Sequence, residues 1–199
     1  MPTDADLAAL IGSRICHDLI SPIGAINNGL ELLTMAGEAP GPEMGLIGES
    51  VGSASARIRF FRIAFGAAGQ QMVGPGEVAS ILRENYEGGR LTLRWESERP
   101  HPRAQVRLVF LALLCLETAL PYGGTISVSE TAGRWQLIGR AERIGSPGPL
   151  WDLLEGEAAA PGGELLPAHV QFALLPRALA QAGRALEQAR TAAEVRLAF

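Results

Sequence analysis

Apolar positions enter the chain at helical spacing. Ile11, Ile15, Leu19, Ile23, Ile26, Leu30 and Leu33 recur in steps of three and four, and at about 100° per residue they share one stripe. Thr3 and Asp6 have capping-box spacing, which predicts a helix from there to about Met35. The run Ala36-Gly-Glu-Ala-Pro-Gly-Pro42 ends it with strong helix-breaking punctuation. A second pattern follows in Met44, Ile47, Val51, Ala54, Ile58, Phe61 and Phe65, an a/d seam. Two helices so joined fold back as an antiparallel hairpin. Each would run roughly 40–50 Å at 1.5 Å per residue, and one neighbour cannot cover both stripes. Two copies packed as a four-helix bundle would, so a homodimer built on residues 4–70 is expected.

The pattern changes after Gly69-Gln-Gln-Met-Val-Gly-Pro75. A short helix over Glu77–Tyr86 leads through Gly88-Gly89 to an alternating strand, Leu91–Trp95. Then come an apolar helix (Val106–Leu120), a strand (Thr125–Ser129), a turn at Ala132-Gly133 and a strand (Trp135–Ile138). A helix over His169–Ala182 and strands near Ala185–Ala189 and Glu194–Phe199 close the chain. The fold class expected is α+β: a helical hairpin over residues 1–72, followed by an α/β two-layer sandwich over residues 73–199.

Composition narrows the function. The net charge is −4 and all 17 basic residues are arginines, so the footprint of a nucleic-acid binder is missing. Cys16 and Cys115 lie in apolar segments without ligand spacing, and with three histidines in all no metal site is expected. Cys16 reads as a small packing residue, His101 as loop and His169 as a helix-start residue. The longest apolar run, Leu108–Leu116, is too short for a bilayer, and the acidic start is unlike a signal peptide. A soluble, cytoplasmic protein without membrane or nucleic-acid partners is the expectation.

The chemistry-bearing stretch is Ser13-Arg-Ile-Cys-His-Asp-Leu-Ile-Ser-Pro22. His17 lies opposite the apolar stripe, on a face with Ser13, Arg14, Ser21, Gly24, Asn28 and Glu31, so it should look outward from mid-helix. Core packing gives no reason for a histidine there. An outward imidazole is a nucleophile near neutral pH, able to take a phosphoryl group on one nitrogen while the other keeps its proton. Asp18 could hold that N–H and select the tautomer, and Arg14 could offset phosphate charge. Gly24 and Asn28 leave the face uncluttered for a docking partner, and Pro22 removes one helical hydrogen bond just beyond.

His17-Asp18-Leu19-x-Ser21-Pro22 on an amphipathic hairpin resembles the H-box of sensor histidine kinases. The second half is similar to their ATP-binding (Bergerat) sandwich, with Leu113–Leu120 and Gly123-Gly-Thr-Ile126 placed like the N-box helix and its following strand. The departures matter more. Leu114 and Thr118 stand where the kinases keep two asparagines for magnesium and phosphate. Gly139–Arg143 lacks the adenine-binding aspartate, and Leu165–Val170 replaces the glycine-rich lid. The expectation is a retained but degenerate sandwich that binds no nucleotide.

A histidine-bearing hairpin joined to such a sandwich resembles the ChpT family of alphaproteobacterial histidine phosphotransferases, above all over Ser13–Leu33. The resemblance implies a phosphorelay step. The receiver domain of a hybrid kinase (CckA in that family) passes its phosphoryl group to the histidine, which passes it to response regulators such as CtrA and CpdR. His17 would be the carrier, with Asp18 orienting it and Arg14 assisting. Receivers would dock over Ser13, Ser21, Gly24, Asn27, Asn28 and Glu31 and bring their own Mg²⁺, the chain itself needing no cofactor. Three alternatives stay open: an ATP-dependent histidine kinase with a divergent pocket, a non-catalytic dimeric scaffold for response regulators, and dephosphorylation through His17 or with Ser21 positioning water.

Overall fold

A computed structural model describes residues 2–36, 42–145, 148–155 and 165–199 as a mixed α+β fold: a helical hairpin followed by a sheet layer. The hairpin is α1 (Asp4–Ala36) and α2 (Pro42–Ala64). α1 starts on a closed capping box. The backbone N–H of Thr3 donates to Asp6 Oδ2 at 2.8 Å, and the N–H of Asp6 donates to Thr3 Oγ1 at 3.2 Å. α2 opens on Pro42, at a position where its missing N–H costs no bond. The expected break at residues 37–41 lies outside the described residues. Leu7, Leu10, Ile11 and Ile15 of α1 join the same core as Phe60, Phe61, Ile63 and Ala64 at the far end of α2, so the two run antiparallel.

The second part contains β1 (Met72–Val73), α3 (Pro75–Tyr86), β2 (Leu91–Trp95), β3 (His101–Pro102), α4 (Arg103–Ala119), β4 (Gly124–Thr131) and β5 (Arg134–Arg140). It continues with α5 (Gly148–Asp152), 3-10 turns at Leu153–Glu155 and Pro167–His169, α6 (Gln171–Gln181), β6 (Glu187–Arg190) and β7 (Glu194–Ala198). Five strands form one sheet in the order β2-β4-β5-β7-β6, parallel only between β2 and β4. Alternation decides its inner face. Ile126, Val128, Trp135, Leu137, Val195 and Leu197 are buried against the helices, while Ser127, Ser129, Gln136 and Arg196 face away. α4 crosses that inner face, with α3 beside β2 and α6 beside α4.

The hairpin is rooted in this layer. Phe60 of α2 stacks on Phe110 of α4 with centroids 4.6 Å apart and meets Tyr86 of α3 edge-on. Asn85 Nδ2 donates to the Ala56 carbonyl at 3.0 Å, and Arg177 of α6 reaches Asp4 at the start of α1. Away from that root the α2 seam divides. Ile47, Ala54 and Phe61 turn inward, whereas Met44, Val51 and Ile58 are about half exposed on a single chain. Ile23 and Leu30 of α1 are similarly exposed. One neighbouring helix covers only part of a stripe this wide.

Several local expectations need correcting. His101 is no loop residue: it is buried on β3 between Trp95 and Trp135, with Nε2 2.6 Å from Ser97 Oγ. The β1–β3 ribbon that places it is two residues per strand, too short for a periodicity to show. Cys16 is exposed rather than packed, because its position falls outside the arc of α1 that α2 covers, while Cys115 is buried in α4. The last helix begins at Gln171, after a separate 3-10 turn, and β6 starts at Glu187 rather than Ala185.

Candidate functional site

Four groups form a polar chain running from His17 on α1 to the Pro167–His169 turn. The His17 side chain is 81% exposed, and its Nδ1 lies 3.1 Å from Asp18 Oδ1. The other carboxylate oxygen of Asp18 accepts from Arg14 Nε at 2.9 Å, a helical i,i+4 pair. Arg14 Nη1 in turn donates to the backbone carbonyl of Ala168, in the Pro167–His169 turn. Asp18 and Arg14 are 15% and 12% exposed, so exposure falls steeply behind the imidazole. A carboxylate accepts only, so the contact with His17 puts a proton on Nδ1 and leaves the Nε2 lone pair facing outward. This arrangement presents a nucleophilic ring nitrogen to solvent, with Asp18 favouring the tautomer that keeps it unprotonated.

Local sequence accounts for the placement. Neighbouring helical residues diverge by about 100°, which sets Asp18 beside His17 but turned toward the body of the molecule. Pro22 stands inside α1 and lacks an N–H, so the Asp18 carbonyl four residues earlier has no helical donor there. Arg14 is also within charge range of a half-buried acid on α4. Glu117 of α4 accepts from the Tyr86 hydroxyl, and burial raises its pKa against the opposing pull of that bond and of Arg57, Arg14 and Arg90. Burial also pushes the Tyr86 hydroxyl well up, helped by the Glu117 charge. No spacing in the sequence joins Glu117 to α1; packing alone does.

The residues expected to share the His17 face are placed as follows. Ser13, Ser21, Asn27, Asn28 and Glu31 are exposed. Gly24 is half-buried, and a Cβ there would meet nothing within 4 Å. Arg14 is the one that turns away: it is held by Asp18 and Ala168, so it acts on the carboxylate rather than standing free for a phosphate. Ile20, one turn after His17 and 68% exposed, was missed. Its signal was an apolar side chain off the stripe, among polar neighbours. His169 ends the turn that receives Arg14, and burial lowers its pKa with the Arg14 charge adding to the effect.

The side chains at the kinase-like positions are turned to packing and to backbone. Leu114 is wholly buried, and the Thr118 hydroxyl donates to the Cys115 carbonyl at 2.7 Å. Trp151 meets Phe172 of α6 edge-on, and Leu153 and Leu154 are buried with it. Among the described residues, no three His, Cys, Asp or Glu side chains gather where they could hold a metal ion, and no helix is long and apolar enough to cross a membrane.

The chain has relatives among known proteins. Residues 75–194 match the family model of the histidine phosphotransferase C-terminal domain. The chain is 40% identical over 160 residues to protein phosphotransferase ChpT of Brucella abortus (strain 2308), covering 77% of this chain and 76% of that one. The chain belongs to the ChpT-type histidine phosphotransferases. A solved bacterial phosphotransferase matches it with a TM-score of 0.81 at 33% identity, over 100% of this chain and 97% of that one. This histidine phosphotransferase therefore shares the fold of a solved bacterial phosphotransferase, and its activity is phosphoryl transfer.

Proposed function

We propose that the protein is a phosphorelay carrier in which His17 takes a phosphoryl group from the receiver-domain aspartate of a hybrid histidine kinase and hands it to response regulators. The observation that carries this reading is the outward Nε2 of a mid-helix histidine whose Nδ1 is held by Asp18. In the forward step the Nε2 lone pair forms an N–P bond as the P–O bond of the aspartyl phosphate breaks. The receiver carboxylate leaves with the electron pair. The proton stays on Nδ1, where Asp18 faces the charge that the ring gains. The same steps reversed load the next receiver. Mg²⁺ belongs to the receiver, which uses it to offset charge on the transferring group.

Residues 1–72 serve as carrier and dimerisation unit, and residues 73–199 as the degenerate sandwich. Donor and acceptors of the CckA, CtrA and CpdR kind suit the ChpT family likeness. Receivers dock over the exposed Ser13, Ser21, Asn27, Asn28 and Glu31, with Gly24 allowing close approach and Ile20 adding an apolar contact. Leu114, buried and without an oxygen to offer magnesium, and the engaged Thr118 hydroxyl support transfer without ATP. The half-exposed Met44, Val51 and Ile58 support a homodimer closed across α2.

The test is transfer of label from a phosphorylated receiver domain to the purified chain without nucleotide. Acid-labile, base-stable label that disappears in His17→Ala is the expected result. Label that persists in His17→Ala would move the carrier elsewhere. Label arriving only with ATP would make the protein a kinase, and none from any cognate receiver would leave a scaffold.

A further inference from the structure

The polar chain that starts at His17 ends on a segment 150 residues further along the sequence. Arg14 is the link: its Nε holds Asp18 at 2.9 Å while its Nη1 holds the carbonyl of Ala168. A long flexible side chain fixed at both donors keeps one orientation, and the planar guanidinium passes that orientation to the carboxylate it grips. The acceptor end is itself rigid. In the Pro167–His169 turn the His169 N–H donates to the Leu166 carbonyl at 2.9 Å and the Val170 N–H to the Pro167 carbonyl at 3.3 Å. The His169 ring lies edge-on to Phe172, which is wholly buried in α6.

We propose that the Pro167–His169 turn of the sheet layer is a positioning element for the phosphoacceptor: the Ala168 carbonyl sets Arg14, Arg14 sets Asp18, and Asp18 keeps the proton on Nδ1 of His17. The proposal rests on the reading of His17 as carrier and deepens it, by naming what selects the reactive tautomer. His17 is the catalytic residue, while Arg14 and Asp18 are positioning residues acting through it. It also gives the second half of the molecule a task that needs no nucleotide. A sandwich packed against α1 supplies the backbone acceptor that holds the far end of Arg14.

Histidine side-chain ¹⁵N NMR on the full chain tests this without any phosphoryl transfer. Wild-type His17 is expected as the Nδ1–H tautomer. In Arg14→Gln the Nδ1–H population should fall, and the His169 pKa should rise because a neighbouring positive charge has gone. Single-turnover uptake of label from a phosphorylated receiver should slow about tenfold, the scale for one lost charge-assisted hydrogen bond. His101, remote in the sheet layer, reports on folding and should keep its signals. Arg14→Lys retains charge without the fork. It should hold His169 near its wild-type titration but leave the His17 tautomer short of wild type.

An unmoved His169 in Arg14→Gln would show that the contact is absent in solution. An unmoved His17 tautomer, with His169 shifted, would show that the contact positions nothing. Either result overturns the proposal. The carrier reading fails separately, through label that survives His17→Ala.

Discussion

At the scale of single residues, burial separates the three histidines into different jobs. His17 stands in solvent on α1, whereas His101 is buried between two tryptophans and His169 lies half-buried beside Arg14. Burial lowers the His101 pKa; the Arg99 charge adds to this and the Glu130 charge opposes it. The consequence for stability has a definite sign. An unfolded histidine takes up its proton near pH 6.5, and the folded one only below that. Between those two values the unfolded chain binds more protons, so stability is full above pH 6.5 and is lost as the pH falls through the window. His169 acts in the same direction. The urea midpoint should therefore drop between pH 7.5 and 5.5, and drop by less in His101→Gln. Equal drops in the two proteins would rule out a role for His101. His17 was recognisable in the sequence because an imidazole opposite an apolar stripe has no packing role. His101 was not, because a histidine between two prolines gives no periodicity from which to infer burial.

At the scale of elements, the two long helices were plain from their spacing, and so was the excess of apolar positions over what one hairpin can hide. Which seam positions turn inward was decided by packing: Phe61 is buried in the core and Ile47 and Ala54 are half-buried, whereas Met44, Val51 and Ile58 are exposed. If the exposed set closes a four-helix bundle, charges placed there should prevent assembly while leaving the hairpin's own contacts intact. Val51→Glu with Ile58→Glu is expected to give a monomer by light scattering at concentrations where the wild type is a dimer. A dimer that survives both charges would place its interface elsewhere. The root of the hairpin behaves differently, since Phe60 has no exposed surface and stacks on Phe110. Phe60→Ala should cost about 3–5 kcal/mol in urea unfolding. A loss within 1 kcal/mol would show that the aromatic contact does not tie α2 to α4. The β1–β3 ribbon, α5 and the two 3-10 turns escaped sequence reading because elements of two to five residues hold too few repeats for a period to show.

At the scale of the whole molecule, the helices and sheet share one hydrophobic core reaching from Leu7 to Phe199, so the hairpin is no free appendage. That continuity lets a turn at residues 167–169 act on a helix at residues 14–18. The sequence by itself determined the hairpin, the α+β order, the outward histidine with its adjacent acid, and the loss of the nucleotide-binding residues. Each of these is local, written in spacings of one to seven residues or in the identity of a single side chain. Tertiary structure alone decided that Arg14 faces the Ala168 carbonyl rather than solvent, that its charge reaches Glu117, and that His101 is buried. Arg14 stands 154 positions from Ala168, and His101 meets Trp135 from across the sheet layer. Periodicity carries no phase over such distances, and only the packing of α1 and α4 with the turn before α6 brings the groups within hydrogen-bond or charge range.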